Sequence, residues 1–393
     1  MNPFGIQRDF RSTEDGRRTW SGIDLAWDGL WWSKGRITDR GWTVEIAIPF
    51  KTLRFPRKSE QIWGVNIQRY QSSKNEDSDW SFISRDDGGI IKVSKAGHLV
   101  GLRDIEPGLH LEFLPYGTVR HSARPRESRF GKDVGLDFKY ALASDVVFDA
   151  TLNPDFAHIE ADEERINLTR FELFYREKRP FFMERSELFT PMDLFYSRRI
   201  ADPKFGAKLT GKLGAWNFGF LTAVDKEEGP DPVYGVFRLQ KDIFGNSSVG
   251  LIALGKQKTE HEYSRAIGAD LGLRWEKATA RLELAKSFNP DVAKDDWRGL
   301  VNVEWSTDRF SVGGEFEELR PEFDVDQTGY CPHDPHVGER RVHTWLSLRF
   351  YPKKFGIRRI GYYPWIYAVK RTDDPKSVSY THLRAHETEA DLV

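Results

Sequence analysis

The chain has 393 residues and a formal net charge of −1, with 59 Lys and Arg against 60 Asp and Glu, so no basic footprint marks it for nucleic acid. Its length suggests two or three domains of about 150 residues each, and the single cysteine, Cys331, excludes an intramolecular disulfide framework and an all-cysteine zinc site. No apolar run approaches the ~20 residues of a membrane helix, which leaves membrane strands open, because these hide one apolar face in alternation.

Residues 1–107 read as short strands with frequent turns, the pattern of a partial β-sandwich. Met1 runs directly into NPFGIQRDF, with neither a charged n-region nor an apolar h-region. Taken alone this points to the cytoplasm; together with the pattern further on, it leads us to expect a fragment of an exported protein. In GWTVEIAIPF, 41–50, Trp42, Val44, Ile46 and Ile48 alternate with Thr43, Glu45 and Ala47, a half-buried strand that Pro49 ends. QIWGVNIQRY, 61–70, repeats the idea, and both Trp42 and Trp63 are expected in a core.

From 108 to 377 the strands lengthen to roughly ten residues, enough for a tilted membrane strand. Four of them split cleanly into faces. Val134, Leu136, Phe138, Tyr140 and Leu142 oppose Gly135, Asp137, Lys139 and Ala141. Trp216, Phe218, Phe220 and Val224 oppose Asn217 and Gly219. Ile267, Ala269, Leu271, Leu273 and Trp275 oppose Gly268, Asp270, Gly272 and Arg274. Val342, Leu346, Leu348 and Phe350 oppose His343, Ser347 and Arg349. Gly, Asp, Lys and Arg opposite the apolar face suit a wet lumen better than a dry core. Tight links near 213–216, 276–279 and 306–309 alternate with longer polar ones near 225–232, 256–265, 288–297 and 318–340. This predicts an all-β chain whose main part is an incomplete, antiparallel up-and-down barrel of the outer-membrane type, with Trp216, Trp275 and Trp305 as girdle residues. A large open soluble antiparallel sheet or a propeller is the alternative, though a WD-type repeat period is absent.

Inside this part lies 153–189, the densest run of charge and aromatics. Acidic Asp155, Glu160, Asp162, Glu163 and Glu164 precede basic Arg165, Arg170, Arg176, Lys178 and Arg179, with Phe171, Phe174, Phe181 and Phe182 among them. Leu168, Phe171, Phe174 and Tyr175 fall at helical spacing, so 161–178 is expected irregular to helical, with Pro180 as its stop. Composition allows a salt-bridged helix packed on a sheet. The sharper expectation is a plug across the barrel mouth, with Asp155, Glu160, Asp162, Arg179 and Glu184 pairing with inward-facing residues, because lipid rejects the charges and water leaves the aromatics unburied. Residues 378–388, VSYTHLRAHET, resemble a translated sequencing adaptor, so 378–393 is expected to be a non-native tail.

A sugar presents apolar faces and hydroxyl edges, so its site needs exposed flat aromatics beside carboxylates, amides or Arg. Aromatics make up 13% of the chain, with 13 Trp. The N-terminal part offers Trp20, Trp27, Trp31, Trp32 and Trp80 near Asp28, Arg69, Asn75, Glu76 and Asp77; of these, Trp31, Trp32, Trp80, Asp28, Arg69 and Asn75 form the candidate carbohydrate site. A strand would turn one ring of the Trp31–Trp32 pair outward. Cys331, His333 and His336 have a spacing that allows a metal, but fall short of four ligands with supporting partners, so no metal or cofactor is expected. Glu160, Asp162, Glu172 and Glu184 are candidate glycosidase carboxylates only by their number, and ion pairing explains them better. No phosphate loop, nucleophile elbow or HExxH is present, and no catalytic residue is assigned.

Residues 27–56, WDGLWWSKGRITDRGWTVEIAIPFKTLRFP, with WGVNIQRYQSSKNEDSDW at 63–80, resemble the second half of a family 9 carbohydrate-binding module. NPDFAHIEADEERINLTRFELFYREKRPFFMERSELF, followed by LFYSRRI at 194–200, resembles the signature of an uncharacterised domain that follows such modules in bacterial envelope proteins. The first resemblance implies carbohydrate binding. The second implies an outer-membrane β-barrel, with a signal peptide and further strands outside this sequence and outer-membrane lipid as a partner. Neither carries over a catalytic residue. Three readings follow: a glycan-recognising or uptake protein of the Gram-negative outer membrane, a hydrolase using carboxylates of 153–189, and an envelope scaffold that binds no sugar.

Overall fold

The computed structural model describes all residues except 1, 13–22, 25–28, 40, 54, 56–57, 75, 84–88, 107–110, 125–126, 144, 155–164, 169–170, 245–246, 291, 293–295, 308, 332–336, 353–359, 372–381 and 385–393. The fold is all-β. By internal contacts it forms two units: Met1–Pro115 with Asp137–Asp149 and Lys178–Glu187, and Tyr116–Leu136 with Ala150–Glu177 and Leu188–Val393.

Up to residue 103 the strands pair two by two. β1 (Arg11–Ser12) pairs with β2 (Ile23–Asp24), and β3 (Trp32–Thr38) with β4 (Gly41–Ala47). β5 (Glu60–Val65), β6 (Gln68–Gln71), β7 (Glu76–Asp79) and β8 (Gly97–Arg103) follow, as the antiparallel pairs β5–β8 and β6–β7. Gly41, at φ +139°, supplies a backbone conformation at the β3–β4 turn that other residues rarely adopt. The rings of Phe50, Phe55 and Trp63 meet edge-on or tilted at 5.1–6.4 Å, around a buried Phe55. Trp63 is half-buried there, but Trp42, expected in a core, is 42% exposed. Its strand pairs with β3 alone, in a two-stranded sheet.

The long strands make one sheet. They are β9 (Leu111–Arg124), β10 (Glu127–Ala143), β11 (Val146–Leu152), β12 (Pro203–Leu213), β13 (Trp216–Asp225), β14 (Val233–Asp242), β15 (Ser248–Gln257), β16 (Tyr263–Arg274), β17 (Ala278–Phe288), β18 (Trp297–Ser306), β19 (Phe310–Leu319), β20 (Glu339–Phe350), β21 (Ile360–Tyr362), β22 (Trp365–Arg371) and β23 (His382–Arg384). Each strand from β9 to β20 neighbours the next, and β20 then pairs with both β21 and β22 along one edge. The edge strands β9 and β23 are not paired with each other, so no closed barrel is formed among the described residues. The tail from 378 lies outside the described residues apart from β23.

From β12 to β20 every described pairing is antiparallel. Connections 214–215, 275–277 and 307–309 fall at one end of the sheet, and 226–232, 289–296 and 320–338 at the other. Trp216, Trp275 and Trp305 all stand at the tight-turn end, 42–53% exposed.

The central stretch departs from its expected helix. Residues 165–168 and 171–179 carry none, and Ile166 and Leu168 are exposed. Pro180 starts a helix instead of ending one: α1 spans Pro180–Met183 with proline in its first turn. Proline lacks an N–H that would be unsatisfied there in any case, and its fixed φ suits the first turn.

Candidate functional site

The strands β12–β20 have two unlike faces. On β13, Gly219, Leu221, Ala223 and Asp225 are buried, while Trp216 and Phe220 are exposed. On β14, Tyr234, Val236 and Arg238 are buried, and Val233 and Phe237 exposed. The registers carry the open face across the sheet: Leu209, Phe220, Phe237, Ala253 and Ile267 form one cross-strand row. Leu271, Leu282, Val301, Phe316, Val342 and Ala368 form another. Charged open-face residues such as Lys241, Arg265, Lys286, Glu318 and Arg340 sit at or near strand ends.

The covered face owes its burial to the chain that returns across it. Phe189 lies against Gly219, and Met192 and Leu194 against Gly268, so a Cβ at either glycine would come within 3.0 Å of these side chains. Asp225 accepts the backbone N–H of Ala201 and of Asp202 at 2.9 and 2.7 Å, and the Tyr234 hydroxyl donates to the Arg199 carbonyl at 3.1 Å. Met192 and Asp193 both hold left-handed backbone, φ 63° and 55°. The turn they make is fixed from outside: Arg298 donates to the Met192 carbonyl at 2.6 Å, and the Tyr330 N–H to that of Asp193 at 2.9 Å. The long connection 320–338 joins this packing. Phe174, Tyr196 and Tyr330 form a ring cluster at 5.0–5.6 Å, and Tyr196 both accepts from the Tyr175 N–H and donates to its carbonyl.

Charge on this face is paired. Arg238, 2% exposed, holds Asp270 with both guanidinium nitrogens. Glu317 bridges Arg298 at 2.6 Å and Arg341 at 3.1 Å, and Arg341 also holds Glu339. Burial raises the Asp193 carboxyl above the usual carboxylate range, against the pull of Arg298 and Arg281. Burial also pushes the Cys331 thiol up to about 12.

The residues singled out from sequence fall as follows. Trp32 is 55% and Trp80 61% exposed, on different two-stranded sheets or their flanks. Trp31 is half-buried, its indole N–H donating to Asp9 at 3.1 Å. Arg69 is exposed on β6, while Asp28 and Asn75 lie outside the described residues. Of the central set, Asp155, Glu160 and Asp162 also lie outside them. Arg179 is buried, its guanidinium 4.4 Å over the Phe182 ring, and Glu184 accepts from Lys139 at 2.5 Å. Glu172 is held by Arg199, and Glu177 accepts from the Ser197 hydroxyl. These described carboxylates each have a cation or donor attached. His333 and His336 lie outside the described residues, among which no metal-holding cluster of His, Cys, Asp and Glu occurs.

Arg238, Arg298, Glu317 and Arg341 were not singled out from sequence. Their signal was the charge standing at alternate positions opposite the apolar face of β14 and β18–β20. No curated protein matches the chain. Over residues 107–211, which span β9 to β11, the central stretch and most of β12, the chain matches the family model described as a domain of unknown function, DUF5916.

Proposed function

We propose that this chain is a carbohydrate-binding outer-membrane protein engaged in glycan recognition or uptake. Its long sheet would meet lipid on the open face, and its N-terminal strands would present tryptophan to a glycan. The observation that carries the membrane part is the inverted polarity of β12–β20: apolar rows exposed, ion pairs covered. An apolar area of that extent exceeds what a soluble surface tolerates, and lipid is the solvent that favours it. The glycan part rests on exposed Trp32 and Trp80 and on the resemblance of 27–80 to a family 9 carbohydrate-binding module. Full-length protein should fractionate with outer membranes and need detergent; a soluble monomer without detergent sinks the membrane reading. On a glycan array the chain should bind a polysaccharide, weakened by Trp32→Ala and Trp80→Ala. An array without ligand would turn the assignment to an envelope scaffold.

A further inference from the structure

The covered face of β20 and β22 carries aromatics where the neighbouring strands carry charge. The register sets Trp345 opposite Trp365 and His343 opposite Tyr367, so all four side chains share one face. With Tyr363, Pro364 and Ser347 they line an open-sided cavity of about 560 Å³, within the roughly 300–1,000 Å³ of small-molecule sites. The rings are set at angles. His343 lies 5.1 Å from Trp345 at 41°, and 6.0 Å from both Trp365 and Tyr367, at 83° and 77°. Two glycines give the rings their place: a Cβ at Gly313 would collide with the Trp345 indole, and one at Gly361 with the Tyr363 ring. Trp345 and Tyr363 therefore lie down on the backbone.

The polar edges of these rings form no hydrogen bond within the described protein, though Tyr367 lies near enough to Arg341 to interact with its charge. Among the described residues, the indole N–H groups of Trp345 and Trp365, the hydroxyls of Tyr363 and Tyr367 and the imidazole of His343 make no hydrogen bond. Elsewhere on this face tyrosine hydroxyls are engaged, as at Tyr196, Tyr234 and Tyr330. None of these groups is a buried polar atom without a partner, so they stand at the open side of the cavity, where a ligand can reach them. Flat apolar surface ringed by unspent donors and acceptors is what a pyranose ring requires: its C–H face stacks and its hydroxyls bond at the rim.

We propose that His343, Trp345, Trp365, Tyr367 and Tyr363 form a saccharide subsite on the covered face, separate from Trp32 and Trp80. Its access from water rests on the membrane reading; its ring chemistry does not. A cage for an organic cation is the competing occupant, but the carboxylate nearest in register, Glu315 opposite His343, already accepts from Asn302 at 2.9 Å.

The test uses the full chain carrying Trp32→Ala and Trp80→Ala, in a detergent without a sugar headgroup, titrated calorimetrically with cellohexaose, xylohexaose, maltohexaose and choline. At least one hexaose should bind. Trp345→Ala should weaken it about tenfold, the scale of one lost stacking partner. Tyr367→Phe, which keeps the ring and the fold, should weaken it a few-fold, and Trp275→Ala at the tight-turn end should leave it unchanged. Binding of choline alone, of no hexaose, or of a hexaose equally well by the Trp345 and Tyr367 variants each overturns the proposal. Failure here with retained outer-membrane fractionation removes the subsite and leaves the membrane reading standing.

Discussion

Arg238 and Leu251 sit on adjacent strands and face opposite ways. The arginine is 2% exposed and the leucine 57%. Burying a charge is expensive and burying a leucine is favourable by about 1.5–3 kcal/mol, so the pair stands against the usual order. The N-terminal strands show no such organised contrast: their exposed Trp32, Trp42 and Trp80 are scattered over small separate sheets. The comparison teaches that polarity alone does not mark the inside of this molecule. What marks it is the returning segment 188–202, which covers one face of the long sheet and leaves the other to its solvent.

The strongest way to break that contrast is to strand a charge on the covered face. Arg238→Ala should cost about 3–5 kcal/mol, because Asp270 loses both of its bonds and stays enclosed. The double variant with Asp270→Ala should cost less than the Arg238 change alone, read by heat-induced unfolding in detergent; additive losses would mean the pair is not coupled. Next comes the reverse insertion. Leu251→Arg should destabilise by about 2–4 kcal/mol in a bilayer, against about 0.5 kcal/mol or less if that face meets water. Urea titration of vesicle-refolded protein separates the two. Filling the notch under Phe189 tests the cover itself: Gly219→Ala should cost about 1–3 kcal/mol by overpacking, with increased protease access to 188–202 as the local readout.

The smallest effect is in the long connections. Hydrogen bonds from Lys256 and Lys258, at 2.7 and 2.9 Å, hold the Glu227 carboxyl below its ordinary range. A depressed carboxyl contributes stability that is fully present above its unfolded pKa, about 4.3, and is lost as pH falls through the lower folded value. The unfolding midpoint should therefore drop between pH 5 and pH 3 by an amount equivalent to about 1 kcal/mol or less. Glu227→Gln should be less stable at pH 6 and lose that part of the acid dependence; an unchanged profile would assign the acid sensitivity elsewhere.

The two faces could be read from sequence because a strand repeats every two residues; 267–275 keeps that period throughout, and 216–224 and 342–350 break it only at Thr222 and Thr344. The alternation of short and long connections was legible for the same reason, as it needs only strand ends. What covers the inner face was not. The contacts of Phe189 with Gly219 and of Met192 with Gly268 join positions far apart in the chain, and a glycine in a strand does not say which side chain lies over it. The helical spacing of Leu168, Phe171 and Phe174 misled because the three do not share one buried face: Leu168 is exposed, while Phe174 stacks on Tyr196 and meets Tyr330 edge-on. Trp345 did carry a signal, an aromatic at an alternate position otherwise held by charge, but it gains meaning only once β22 sets Trp365 beside it.

The order of the chain has a consequence for assembly. Residues 188–202 precede all nine strands from β12 to β20, and each of those strands pairs with its immediate predecessor. From β12 to β19 such sequential pairing closes connections of two to eight residues, whereas β11–β12 spans 153–202 and β19–β20 spans 320–338, so the entropic cost of closure is concentrated in those two steps. In the order of the chain the cover thus comes before the strands it lies on. A permuted gene that moved 188–202 behind β20 would reverse that order while leaving Phe189, Met192 and Arg199 the same partners, so comparing the refolding rates of the two forms would show whether the order matters.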